Sequence, residues 1–248
     1  MRITSAFGLI LALSAGSALA FEGKPKFGPD AVPMLRATEY LRTNPAPDFW
    51  KLVQFYVPQQ SSSACSVASV ATAVNFVRGV PPAADAPLVT QSGLLEAVAD
   101  PIWAAKGAEG GDGVRFAELV EDVKKSLAAY GIQGFAVETF EPTGSSPLTM
   151  AKLRSILEAN EASDRDVVLA YFNQGVLTGD WDGPHISPIG AFDAAAGKVL
   201  IMDVDREWYV PYWTTDAKLL EAMLKPAPAD QGVLAGAVGG LVWIKAPG

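Results

Sequence analysis

Cys65 and His185 are each the only residue of their type in 248. Cys65 lies in PQQSSSACSVASV, Pro58 to Val70, where small polar residues give way to small apolar ones; His185 lies 120 positions on, in WDGPHISPIG. A cysteine at the start of a helix meets unpaired backbone N–H groups and the positive end of the helix dipole. Both favour the thiolate, which is the attacking species. A lone cysteine makes no internal disulfide, so it is a buried inert thiol, an intermolecular bridge or a nucleophile. A histidine backed by a carboxylate is the base such a nucleophile needs.

A turn supplies the carboxylate. DAAAG, residues 193–197, reads as a hairpin bend between HISPIGAFD and KVLIMDVD. A bend centred on Ala194 or Ala195 pairs positions whose numbers sum to roughly 388–390, and His185 with Asp203 fits. The two are expected as cross-strand neighbours.

The surrounding elements follow from composition and period. SVASVATAVNFV, residues 66–77, reads as a buried helix stopped by Gly79, with Pro81 and Pro82 beyond. SGLLEAVADPIW, RFAELVEDVKKSLAAYG and LTMAKLRSILEANEA have helical spacing. Residues 21 to 48 read as an extended entry segment with one short helix around AVPMLRATEYLRT. After Asp164 the pattern changes to short β-branched and aromatic runs, DVVLAYFNQ, HISPIGAFD, KVLIMDVD and VGGLVWIKA, interrupted by one helix, TTDAKLLEAMLK. Helices first and strands afterwards is the α+β pattern: a helical N-terminal lobe packed on a C-terminal antiparallel β-sheet.

Arg2, the apolar run Ala6–Ala15 and Ala18-Leu19-Ala20 read as a secretory signal cleaved after Ala20. Residues 21–248 are then expected as one catalytic domain, periplasmic or secreted. Acids outnumber bases 27 to 19, for a net charge of −8. With no Lys/Arg cluster there is no footprint for nucleic acid and no basic amphipathic face for a membrane. One Cys and one His make no structural zinc site. GAEGGDGV, Gly107–Val114, lacks the Gly-Lys-Ser/Thr of a phosphate loop and is expected to be a flexible loop near the substrate cleft.

Three separated blocks carry a family resemblance. They are Gln59, Cys65, Ala68, Ser69 and Asn75; then His185 and Ser187 to Gly190; then Asp203, Val204, Arg206, Tyr209, Pro211, Trp213 and Glu221 to Met223. From about Phe55 to Lys245 the chain resembles the phytochelatin synthases, members of the papain-like clan. Departures are Ser66, where the family usually has glycine, and Asp205 and Glu207 on either side of Arg206. The cysteine-rich C-terminal extension of the plant enzymes has no counterpart, so the likeness is to the short prokaryotic form, more a glutathione hydrolase than a polymerising synthase.

The resemblance implies a papain-like fold and attack by Cys65 on the Cys–Gly bond of glutathione. Glycine leaves, and a γ-Glu-Cys acyl-enzyme passes to water or to a second glutathione. It casts His185 as general acid/base, Asp203 as its orienter and Gln59 as oxyanion donor. Arg206, Ser187 and Trp181 are the candidate substrate contacts, with a salt bridge to Asp205 or Glu207 as the alternative for Arg206 and packing as that for Trp181. No metal cofactor is implied; Cd²⁺ or Zn²⁺ would enter as glutathione thiolate complexes. A homodimer is open to it. Two rivals share the same residues: a papain-like peptidase or amidase acting on other periplasmic peptides, and a catalytically idle thiol- or metal-binding protein.

Overall fold

The computed structural model describes residues 26–247, and the expected signal over residues 1–20 lies outside the described residues. The chain opens with β1 (Val32–Pro33) and a 3-10 turn (Met34–Arg36), then α1 (Glu39–Thr43), α2 (Pro47–Leu52), α3 (Cys65–Arg78), α4 (Gln91–Val98), α5 (Pro101–Lys106) and α6 (Phe116–Ala129). β2 (Ala136–Phe140), α7 (Pro147–Glu161), β3 (Val167–Asn173), α8 (Gln174–Thr178), β4 (Pro184–Asp193), β5 (Lys198–Ile201), β6 (Tyr212–Thr215), α9 (Asp216–Leu224), a second 3-10 turn (Gly232–Leu234) and β7 (Gly240–Lys245) follow. The seven strands form one sheet in the order β1-β6-β5-β4-β3-β7-β2, and every pairing is antiparallel.

The expected α+β arrangement is present, with a second helical layer added. Val167, Leu169 and Tyr171 of β3 pack with the helices of the N-terminal lobe. Val168, Ala170 and Phe172, the alternate residues, pack with α7 and α9 through Leu153, Leu157, Leu219 and Met223. Covered on both faces, β3 is buried from end to end. That explains its near-continuous apolar run where a half-exposed strand would alternate.

α3 is buried from Ser66 to Phe76. Its small residues allow close approach to the sheet, and Ser69 Oγ donates to the Ile186 carbonyl of β4 at 3.0 Å. Gly79, at φ 74°, ends it. Four boundaries differ from the sequence reading. SGLLEAVADPIW is two helices, because Ala99 turns left-handed at φ 55° and Asp100 then caps α5, with Pro101 as its first residue. The described part of the entry segment carries β1 on the sheet edge, and α2 follows it. β2 lies within the helical half. Residues 212–215 are a strand in front of α9, since Thr215 both ends β6 and accepts the Lys218 N–H as the helix cap.

Gly190 sets the register that matters for the site. Asp193 pairs with Lys198 and Phe192 with Val199, but past a bulge Ile189 pairs with Ile201. A Cβ at Gly190 would lie 2.7 Å from Met202 Cγ, so only glycine lets the two strands close there. His185 and Asp203 are therefore offset by two positions and meet diagonally rather than as the direct cross-strand pair expected.

Candidate active site

Cys65 is the first residue of α3, and no side chain caps the helix. Its thiol is half-buried and unpaired with any other cysteine. The loop before it is tied down at each serine. Ser61 Oγ donates to the Gly107 carbonyl at 2.6 Å and Ser63 Oγ to that of Gly111 at 2.5 Å. The Ser62 N–H donates to Glu109 at 2.9 Å, and its Oγ accepts the Gly110 N–H at 3.1 Å. GAEGGDGV, expected as a flexible loop near the cleft, is thus the cradle of the nucleophile's own loop. Behind it, Gln91 accepts the Gln60 N–H at 3.2 Å and donates to the Pro58 carbonyl at 2.8 Å. Ser66 is fully buried, and its Oγ accepts the indole N–H of Trp103 at 3.0 Å. A glycine at position 66 would leave that donor unmet.

His185 is 4% exposed, and its Nε2 lies 3.0 Å from Asp203 Oδ1. Nε2 is taken, so Nδ1 is the nitrogen left for Cys65. Burial alone would lower the imidazole's pKa. The charge and hydrogen bond of Asp203, and then those of Cys65, outweigh it and push the value up to about 10. The ring therefore holds a proton well above the ordinary imidazole range. Phe172, its partner across β3, stands edge-on at 5.7 Å.

Asp203 is fully buried, and donors surround it. Gln174 Nε2 reaches its Oδ2 at 2.8 Å and the Asp205 N–H its Oδ1 at 2.9 Å. Tyr56 OH donates to its carbonyl, and Tyr212 OH donates to Gln174 Oε1 at 3.2 Å. Gln174, itself fully buried, has no signal in the sequence. It opens α8, eleven residues before the histidine, at the end of the run DVVLAYFNQ that reads as a strand.

The other expected contacts divide. Gln59 is pinned beside Asp203, because its N–H donates to the Val204 carbonyl at 2.8 Å. Its side-chain amide donates to the Ser62 carbonyl at 3.4 Å, and its Oε1 is buried without a partner. Ser187, expected as a substrate contact, faces His185 and the strand. It is fully buried, with Oγ 3.1 Å from His185 Nε2 and accepting the Val204 N–H at 3.2 Å, so it positions the ring and the strand. Alternation along β4 already puts residues 185 and 187 on one side. Arg206 is exposed, beside the Tyr56 ring at 5.9 Å, and pairs with neither Asp205 nor Glu207. Trp181 is 45% exposed, its ring folded over Gly183.

Among the described residues no group of three or more His, Cys, Asp or Glu is placed to hold a metal ion, and no helix is long and apolar enough to cross a membrane. A cavity of about 940 Å³, lined by Arg36, Tyr40, Lys198 and Trp213 among others, lies at the far end of the β4–β5 hairpin from His185 and plays no part in this arrangement. A catalytic pair is recognised by its geometry, and cavity size is no substitute.

Comparison with known families matches the chain to phytochelatin synthase over residues 34–232. Over 92 residues it is 34% identical to glutathione gamma-glutamylcysteinyltransferase 3 of Lotus japonicus; the match covers 36% of this chain and 18% of the plant protein. Among solved structures, the Pseudomonas avirulence protein AvrPphB aligns with 79% of this chain and 100% of its own, at 11% identity and a TM-score of 0.32.

Proposed function

Because the chain belongs to the phytochelatin synthase family, we propose that it is a thiol-dependent enzyme that cleaves the Cys–Gly bond of glutathione and passes the γ-Glu-Cys group to water or to a second glutathione. The observation that carries this is a single imidazole held by Asp203 at 3.0 Å whose pKa is raised by Asp203 and then by Cys65, the first residue of α3.

In the proposed cycle Nδ1 of His185 holds the proton taken from Cys65, and the thiolate attacks the carbonyl carbon of the Cys–Gly bond. Negative charge moves to the carbonyl oxygen, where the Cys65 N–H and the Gln59 amide meet it; the Gln59 amide turns from Ser62 to do so. Such a donor is worth on the order of 10²–10³ in rate. The C–N bond breaks, and the imidazolium gives its proton to the departing glycine amine. In the second half His185 takes a proton from water or from the amine of another glutathione, which attacks the thioester and frees Cys65. Asp203 fixes the ring throughout. Arg206, a guanidinium with no ion pair to a carboxylate among the described residues, binds a carboxylate of the substrate bidentately. Cd²⁺ or Zn²⁺ takes part as glutathione thiolate complexes, as substrate. The signal read over residues 1–20 sets the reaction in the periplasm or outside the cell.

The test is a product assay with residues 21–248 and glutathione, with and without Cd²⁺, beside Cys65→Ala, read by mass spectrometry. Free glycine and γ-Glu-Cys that vanish in the variant are expected; longer γ-Glu-Cys repeats would make it a synthase. Without any Cys65-dependent product the proposal fails.

A further inference from the structure

A second cavity, of about 380 Å³, lies between α5 and α6, outside the site described above. Trp103, Ile102, Val114 and Ala117 give it apolar walls, and Asp122 lines it from α6. Ile102 is 66% exposed at its mouth. The two lysines at its edge are engaged, Lys106 with Glu118 at 2.5 Å and Lys125 with Asp100 at 2.6 Å; outside, Lys124 holds Glu121 at 2.8 Å. Asp122 has no such partner. It is 4% exposed, its Oδ2 is sealed without a hydrogen bond, and among the described residues neither backbone nor side chain donates to its carboxyl. A carboxyl that far from water normally has a donor or a cation.

We propose that this cavity is a binding site for a small organic cation, an ammonium carried on an apolar body, with its head on Asp122 and its body along Ile102. A bare metal ion does not suit a single open carboxyl. An exposed apolar wall ending in an unpaired acid suits an ammonium on an apolar body, and the volume falls within the range of small-molecule sites. Trp103 is also the residue that holds Ser66, next to Cys65, so an occupant lies one side chain from the nucleophile's helix turn.

Burial lifts the Asp122 carboxyl to about 7, with Asp100 and Glu118 adding to the rise and Lys125 and Lys106 opposing it. An ammonium binds the ionised form, so affinity rises from pH 6 to pH 8. Benzylamine is the probe, titrated into the full chain at both pH values while the Trp103 indole N–H is followed by NMR; benzyl alcohol is the neutral comparator. The expected result is a saturable shift with benzylamine, at least about tenfold weaker binding in Asp122→Asn, and weaker binding still for the alcohol. The variant should fold, since the carboxyl it loses makes no hydrogen bond. Equal affinity for the alcohol, equal affinity in Asp122→Asn, or no saturation would each overturn the proposal, and the first and last need no variant at all.

Discussion

Of the described aspartates the two farthest from water are Asp203, just past β5, and Asp48, in α2, at 0% and 2% exposure. Asp203 is ringed by donors: the His185 imidazole, the Gln174 amide and the Asp205 N–H. Asp48 has one, the amide nitrogen of Asn160 on its Oδ2, while its own Oδ1 and the Asn160 Oδ1 are left without partners. Burial, and then the charges of Glu161 and Asp166, push Asp48 up to about 10. A carboxyl raised that far is held in its neutral form, and the Asn160 amide ties α2 to α7 through its Oδ2. The same side chain is built as a charge in one place and as a hydrogen-bonding strut in the other. The number of donors around each decides which.

The largest test of that contrast is Asp203→Asn. The amide keeps the shape and removes the charge that holds the imidazolium. We expect kcat on glutathione to fall on the order of 10³-fold. His185 titrates near 10 in the fold against 6.5 unperturbed. Its contribution to stability is therefore complete below about 6.5 and lost as pH rises through 10. The alkaline limb of kcat/KM should follow the same value and move down in the variant. A variant with wild-type rate and limb would mean that Asp203 is another strut like Asp48.

Gln174→Leu asks whether the donors around Asp203 matter one by one. It strips Oδ2 of its partner at nearly constant volume and leaves the Tyr212 hydroxyl unmet as well. We expect kcat to fall roughly tenfold with KM little changed, and stability to drop by about 1–3 kcal/mol. A loss of stability with kcat intact would show that Gln174 supports the fold alone.

These residues also mark where reading the sequence stops. Cys65, His185 and Asp203 were legible because two are unique and a five-residue bend brings the third back. The diagonal offset was not, since it depends on how close Gly190 lets Met202 approach. Nor were Gln174, the Trp103 bond to Ser66 or the docking of the three serines on Gly107–Gly111, contacts between residues 29 to 48 positions apart that carry no periodic signal. β1, with two residues, and β6, with four, are too short for alternation to register. α3 and α6 were legible because each shows its apolar face or its stop, whereas α2 was not read and α4 and α5 were read as one helix.

Asp48→Asn tests the other side of the comparison. A carboxyl raised from 3.8 to about 10 on folding costs nothing below pH 4 and progressively more up to 10. An asparagine there carries the donor permanently and has no charge to bury. We expect a gain on the order of 1–3 kcal/mol at pH 8, a flatter dependence of Tm on pH between 5 and 9, and unchanged turnover of glutathione. A variant less stable than wild type at pH 8 would mean that Asp48 is ionised in the fold and held by Lys51 instead.

The smallest effect should come from Ser66→Ala, which probes a buried pair with no charge in it. The hydroxyl accepts the Trp103 indole N–H at 3.0 Å, and both residues are almost fully buried. Truncation leaves one neutral donor unsatisfied and costs about 1–2 kcal/mol, partly offset by alanine's better helix propensity. The backbone N–H groups at the head of α3 stay where they are, so Cys65 alkylation at pH 6 should change less than about twofold. If alkylation slows much further than stability falls, Trp103 and Ser66 set the nucleophile's position, and the polar pair beside Cys65 belongs with Asp203 among the working contacts instead of with Asp48 among the struts.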